Sequence, residues 1–93
     1  MKLTVDTTIQ RNNDTLTSDI DGEKVMMSVK HGEYYGLGQT GSFIWDNISD
    51  PINIGYLVEL ILEKFKVEKE QCLKDILPFL NDLVEKGLVI ATK

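Results

Sequence analysis

Residues 32–45 read Gly-Glu-Tyr-Tyr-Gly-Leu-Gly-Gln-Thr-Gly-Ser-Phe-Ile-Trp, and this stretch decides the fold. It begins in a hairpin turn, continues as a short aromatic strand, and enters a helix for which Thr40 is the predicted cap. The pairing given below places the strand Glu33–Leu37 at the edge of a small sheet. An edge strand leaves backbone groups unpaired, which proteins usually block unless another chain pairs there. The stretch therefore favours a protein that binds a peptide over an enzyme.

Asp21-Gly22 lies between two alternating segments and predicts a type I′ hairpin, because both loop residues of that turn require positive φ. The pairs that follow from this loop are Ile20 with Glu23, Ser18 with Val25, and Leu16 with Met27. The apolar residues that then share one face are Leu16, Ile20, Val25, Met27 and Val29. The agreement between loop chemistry and alternation supports this register.

A second turn is predicted at His31-Gly32, and it continues the sheet into the aromatic strand. The pairs that this turn predicts are Lys30 with Glu33, Val29 with Tyr34, and Ser28 with Tyr35. The second face of the sheet then carries Met26, Tyr35 and Leu37, so both faces are apolar. Two explanations stay open. In the first, helices cover one face and part of the other face is left for a partner. In the second, the N-terminal segment (Leu3, Val5, Ile9) covers that other face.

The second half of the chain predicts three helices. The first carries Phe43, Ile44 and Trp45 and stops before Pro51, and Asn53 can cap the second. The third spans about Glu68 to Lys86, contains Pro78, and ends at Gly87. A short extended segment, residues 88–90, follows. The predicted fold class is α+β and winged-helix-like: a three-stranded antiparallel sheet followed by three helices.

The length, charge and cysteine content of the chain limit the functions that it can have. The 93 residues suffice for one domain, predicted over residues 1–93, with residues 1–13 left without an assigned role. The net charge of −5 disfavours nucleic acid and anionic membranes as partners, since both attract clustered Lys and Arg. No apolar run is long enough to span a bilayer. The single cysteine, Cys72, excludes an internal disulfide and fits a cytoplasmic protein.

Catalytic and metal chemistry find little support in the sequence. Cys72 is expected to be a small buried or half-buried apolar side chain. It lacks a partner for nucleophilic catalysis, because the single histidine, His31, is predicted in a hairpin turn. One His and one Cys do not make a metal site, so no metal and no cofactor are expected. Trp45 is assigned to the core. Two rival classes are a winged-helix DNA binder, disfavoured by the acidic third helix, and an acyl carrier, disfavoured because Ser18-Asp19 and Ser49-Asp50 reverse the carrier motif.

The chain resembles the PqqD-like family, also called RiPP recognition elements, and within it the stand-alone leader-binding proteins of lasso-peptide pathways. The resemblance extends from about Leu16 to Ile90. The segments that carry it are Glu33-Tyr34-Tyr35-Gly36-Leu37, Thr40-Gly41, Ile44-Trp45, Phe79-Leu80, Leu83, and Gly87-Leu88-Val89. Gly38 departs from the family pattern, which usually has Asn there.

This resemblance implies a non-catalytic adaptor. Family members bind the leader segment of a ribosomally made precursor peptide as an added antiparallel strand, in a groove between the third strand and the third helix. They then deliver the core peptide to processing enzymes, which in lasso pathways are a transglutaminase-like cysteine protease that removes the leader and a cyclase. Other family members present peptides to radical-SAM enzymes, which is the alternative function.

The resemblance also implies a site. On the sheet, strand Glu33–Leu37 would pair with the leader, and either Tyr34 or Tyr35 would line the groove; the register favours Tyr35. The full set of leader-binding residues expected on this basis is Met26, Glu33, Tyr34, Tyr35, Gly36, Leu37, Cys72, Asp75, Ile76, Phe79 and Leu83.

Overall fold

The computed structural model describes residues 2–12, 15–21, 23–28 and 32–92. Within these residues two small sheets pack with three helices. The elements in chain order are β1 (Thr8–Arg11), β2 (Leu16–Ile20), β3 (Glu23–Ser28), β4 (Glu33–Gly36), α1 (Gly38–Asp46), β5 (Ile52–Asn53), α2 (Ile54–Phe65), α3 (Lys69–Glu85) and β6 (Val89–Thr92). The predicted α+β class, with a three-stranded antiparallel sheet and three following helices, is confirmed.

Strands β2, β3 and β4 form the predicted sheet in that order. The first hairpin has the predicted register, which pairs Ile20 with Glu23 and Ser18 with Val25. Asp21 has a φ of 52°, the left-handed conformation that its turn position requires. Gly22, its predicted partner in the turn, lies outside the described residues.

The register of the second hairpin was predicted wrongly. Met26, not Ser28, lies opposite Tyr35, and Ser28 lies opposite Glu33. Residues 29–32 therefore separate the paired positions, so the connection is longer than a two-residue turn. The predicted positions of Val29, Lys30 and His31 fall outside the described residues. Since the error is two residues and side chains alternate with period two, Met26 and Tyr35 still share a face.

A second sheet, in the order β5-β1-β6, was not predicted. Its central strand β1 joins distant parts of the chain, because Ile9 pairs with both Ile52 and Ala91. The N-terminal segment therefore does not cover the β2–β4 sheet, which corrects that alternative. Ile9 is fully buried in the core instead, and Ile20 and Tyr34 on the uncovered sheet face are 56% and 72% exposed.

Helix α1 begins earlier than predicted. Leu37 occupies the N-cap position without a side-chain hydrogen bond, so Thr40 lies inside the helix and does not cap it. Gly38 has a φ of 70°, and this left-handed residue turns the chain directly out of β4 into the helix. The hydroxyl of Ser42 then accepts the Lys24 N–H at 2.8 Å, which fixes α1 against β3.

The ends of the other helices follow the sequence. The Asn53 side chain caps α2 by accepting the Gly55 N–H at 2.9 Å, as predicted. Pro78 lies inside α3, and Lys86 is the C-cap of that helix. Gly87 has a φ of 76° and donates its N–H to the Val84 carbonyl. Together with the Leu88 N–H bond to Leu83, this is a Schellman motif, which turns the chain from α3 into β6.

Candidate peptide-binding groove

Strand β4 has one paired edge and one edge that no other described strand pairs with. On the paired side, the Leu37 N–H donates to the Lys24 carbonyl at 3.0 Å. In an antiparallel pair, the backbone groups of successive residues point alternately toward and away from the partner strand. Tyr35 therefore points its N–H and C=O toward β3. Tyr34 and Gly36 point theirs outward.

Helix α3 lies on the sheet face that carries Tyr35 and Leu37, and it runs opposite to β4. Within β4, the Lys86 ammonium lies 4.3 Å from the centre of the Tyr35 ring. At its end, Leu37 and Phe79 meet at Gly41 of α1. A Cβ atom at Gly41 would lie 3.0 Å from Leu37 Cβ and 3.3 Å from Phe79 Cζ. Glycine at this position therefore allows β4, α1 and α3 to approach closely.

An open cavity of about 300 Å³ lies where these three elements meet. We call it the β4–α3 groove. Its lining residues are Leu37, Thr40, Gly41, Ile44, Asp75, Ile76 and Phe79. The lining is mostly aliphatic and aromatic, with the Thr40 hydroxyl and the Asp75 carboxylate as polar groups. A largely apolar concavity beside an open strand edge can hold the side chains of an extended peptide.

The predicted site residues separate into distinct places. Leu37, Asp75, Ile76 and Phe79 line the groove together. Tyr35 is half-buried within β4, under Lys86, and does not line the groove. Gly36 is exposed on the strand, and Tyr34 is exposed on the opposite face of the sheet.

The remaining predicted site residues do not line the groove. Met26, Cys72 and Leu83 are buried in the core, with 0%, 4% and 3% of their surface exposed. Met26 packs beneath the sheet opposite Tyr35. For Glu33 the structure describes the backbone, and this residue pairs with Ser28 on β3.

Helix α1 contributes to the groove, which was not predicted from the sequence. Thr40, Gly41 and Ile44 line the cavity but were not among the predicted site residues. The signal was present, since Gly41 and Ile44 are three residues apart and share a helix face. Placing the helix start at Thr40 obscured it, because Thr40 was assigned to capping.

Asp75 dominates the electrostatics of the groove. Its carboxylate accepts a hydrogen bond from the Gln71 side-chain amide at 3.0 Å. The ion pairs found among the described residues do not include Asp75. Burial, and then the negative charge of Asp75, raise the pKa of the neighbouring Cys72 thiol. A thiol held in its protonated form is a poor nucleophile, which matches the structural role expected for Cys72.

Trp45 lies in the core, as predicted, with 2% of its surface exposed. Arg11, whose role the sequence left open, fastens β1 to this residue. Its guanidinium donates to the Trp45 carbonyl at 3.2 Å and lies 5.7 Å from the centre of the indole ring. A cation at the C-terminal end of α1 is also favoured by the helix dipole.

The described residues contain neither a metal-binding cluster nor a membrane-spanning helix. Across residues 2–12, 15–21, 23–28 and 32–92, no group of three or more His, Cys, Asp and Glu side chains is placed to hold a metal ion. In the same part of the chain, no helix has the length and apolar character needed to cross a bilayer.

Comparison with known proteins assigns the family. A profile of the family described as coenzyme PQQ synthesis protein D (PqqD) matches residues 23–89. The chain belongs to this family, so the resemblance noted in the sequence is confirmed. The match includes β3, β4, the three helices and the start of β6.

A solved structure shares this fold. It is described as TbiB1 in complex with the TbiA(beta) leader peptide, and it superposes with a TM-score of 0.75 at 26% sequence identity. The alignment covers 86% of this chain and 93% of TbiB1. A comparison with curated proteins found no match.

Proposed function

We propose that this chain is a non-catalytic adaptor that binds the leader segment of a ribosomally made precursor peptide. The observation that carries the proposal is the open edge of β4 beside the β4–α3 groove. The similarity to TbiB1, whose structure contains a leader peptide, supports the same conclusion. Residues 1–93 would form one domain around this site.

The leader would add to β4 as an antiparallel strand. The outward backbone groups of Tyr34 and Gly36 supply main-chain hydrogen bonds that tolerate many sequences. Selectivity comes from the side chains of the leader, which alternate between the two sheet faces. Those on one face enter the β4–α3 groove and meet Phe79, and those on the other lie beside Tyr34.

We propose that the adaptor binds the leader in order to deliver the attached core peptide to a processing enzyme. Holding the leader raises the effective concentration of the attached core peptide at the processing enzyme. We propose a cytoplasmic lasso-peptide pathway, in which a transglutaminase-like cysteine protease removes the leader and a cyclase closes the core. The adaptor should lower the apparent KM of the protease more than it changes kcat.

Presentation of a peptide to a radical-SAM enzyme is the second candidate. The family description, a protein of coenzyme PQQ synthesis, favours it. The two candidates use the same groove and differ in the enzyme that receives the peptide. A pull-down with the adaptor and its bound peptide, probed with the purified protease and radical-SAM enzyme encoded nearby, distinguishes them.

Calorimetric titration tests the binding step. The probes are synthetic peptides that cover the leader halves of precursor genes neighbouring the gene of this chain, with the TbiA(beta) leader as a related probe. Amide NMR shifts locate the site. We expect saturable binding with shifts concentrated at residues 34–37 and 75–79.

The same experiment can contradict the proposal. Shifts confined to β2 and β3 would preserve peptide binding but place it elsewhere on the sheet. If none of the encoded leaders binds to the folded protein, the adaptor function is wrong. A scrambled peptide of equal composition is the control for non-specific association.

A further inference from the structure

The charges that α3 places beside β4 differ between the Tyr35 position and the β4–α3 groove. Beside Tyr35, the Lys86 ammonium lies 2.8 Å from the Asp82 carboxylate, so the cation there has an anionic partner. In the groove, beside Leu37, the Asp75 carboxylate lines the cavity and accepts a hydrogen bond from the uncharged Gln71 amide. The charges beside Tyr35 are therefore balanced, whereas the β4–α3 groove is anionic.

The direction of the bound peptide follows from the direction of β4. Along the open edge, Tyr35 lies near Lys86 and Leu37 lies near Phe79, so β4 and α3 run in opposite directions. A peptide antiparallel to β4 then runs in the same direction as α3. Its N-terminal part lies near Asp75, and its C-terminal part lies near Lys86.

The spacing along the peptide follows from standard geometry. Asp75 precedes Phe79 by one helical turn, about 6 Å along the axis at 1.5 Å per residue. Two residues of an extended strand cover about 6.7 Å, and residues two apart point to the same face. A leader side chain that packs on Phe79 thus has its second N-terminal neighbour facing Asp75.

We propose that Asp75 is a specificity-determining residue, which selects leaders with Lys or Arg two positions before the apolar side chain that packs on Phe79. This inference rests on the proposed leader binding and names the peptide chemistry that the groove prefers. The apolar walls around Ile76 and Leu37 also suit the aliphatic stem of a long basic side chain, whose charged end can reach the carboxylate.

A double-mutant cycle tests the proposal. The probe is the encoded leader peptide that binds most tightly, synthesised with Lys, Gln or Glu at the position facing Asp75 (identified by NMR contacts to Phe79). Each peptide is titrated against the wild-type chain, Asp75→Asn, Asp75→Lys and the control Glu70→Gln. The control removes the same charge from an exposed position of α3 that does not line the groove.

We expect Asp75→Asn to weaken binding of the Lys peptide about two- to fivefold, the range of an exposed ion pair. The Gln peptide should lose nothing, and Glu70→Gln should leave the order of the three peptides unchanged. Asp75→Lys should reverse that order, so that the Glu peptide binds most tightly. Added salt should reduce the difference between the Lys and Gln peptides. The Gln71 side-chain amide resonances should shift most with the Lys peptide, because its cation competes for the same carboxylate.

The outcomes separate the two levels of the argument. Equal losses for the Lys and Gln peptides, or no loss for either, would overturn the role of Asp75 while leader binding stands. Binding of no peptide to the folded wild-type chain would overturn the proposed function and this inference with it.

Discussion

The two sheets of this protein each have three antiparallel strands, but they have different roles. The β5-β1-β6 sheet joins residues from both ends of the chain around the fully buried Ile9. The β2-β3-β4 sheet ends in an open edge beside the β4–α3 groove. The comparison indicates that the first sheet holds the fold together and the second presents a surface. Changes in the first should alter stability, and changes at the open edge should alter binding.

The largest effect is expected from Ile9→Ala in the first sheet. Removing a fully buried aliphatic side chain leaves a cavity, so unfolding free energy should fall by about 2–5 kcal/mol. Urea denaturation followed by circular dichroism measures this change. Ile90→Ala on the neighbouring strand β6 is the control, because Ile90 is 51% exposed. Equal losses from the two variants would contradict the structural role given to β1.

Gly36→Pro tests whether the open edge of β4 pairs with the leader. Proline removes an outward N–H and adds a ring where the leader would pair, while the ladder to β3 stays intact. Leader affinity should fall about thirtyfold or more, equivalent to about 2–3 kcal/mol, with stability changed by less than about 1 kcal/mol. Calorimetry and denaturation on the same preparations measure both quantities.

The opposite edge supplies a matched control for this variant. Met26 points its backbone groups toward β4, so Thr17, which lies opposite Met26 on β2, points its own outward. Thr17→Pro therefore makes the same chemical change at an edge that does not border the groove. If both proline variants reduce affinity equally, strand addition at β4 is wrong.

The two faces of the open sheet can be compared through neighbouring tyrosines. Tyr35 packs against the core and under Lys86, so Tyr35→Ala should reduce stability by about 1–2 kcal/mol. Tyr34 is 72% exposed, and Tyr34→Ala should change stability by less than about 0.5 kcal/mol. Thermal unfolding of the two variants side by side measures the difference. A larger loss at Tyr34 would reverse the assignment of the faces.

Local sequence signals predicted the strands of the β2-β3-β4 sheet, but of the other sheet they predicted only an extended segment at residues 88–90. Asp21-Gly22 fixes a two-residue loop, and the register of β2 with β3 follows from it. The connection after β3 has no such signal, so the prediction missed the register of β4 by two residues. The assignment of residues to the two sheet faces stayed correct, because the register error was an even number of residues. Strands β1, β5 and β6 pair residues far apart in the chain, and their short segments carry too little alternation to reveal it.

The groove was predicted on its α3 side and missed on its α1 side. Asp75, Ile76 and Phe79 were found because α3 is long and strongly periodic. Gly41 was missed because its role is to be small where Leu37 and Phe79 meet, which is visible only after three elements are packed. Close approaches of this kind depend on tertiary structure and leave no periodic pattern.

The smallest effect concerns Cys72, which lies beneath the groove beside Asp75. Its pKa is raised above the ordinary value of 9.0, first by burial and then by the charge of Asp75. Below pH 9 the thiol is protonated in both states, so it adds no pH dependence. As the pH rises above 9, the unfolded chain releases the proton while the folded chain retains it, and stability should fall.

Urea denaturation between pH 8 and pH 10 measures this decline. That range stays below the raised pKa of Lys24, whose ordinary value is 10.5 and which would otherwise add its own loss of stability. Cys72→Ala should be less stable throughout but should show a flatter decline with pH. Asp75→Asn should fall between the two, because it removes the charge and leaves the burial. Equal slopes for the wild-type chain and Asp75→Asn, with a flatter slope for Cys72→Ala, would show that Asp75 does not act on the buried thiol. The same slope in all three proteins would contradict the raised pKa of Cys72 itself.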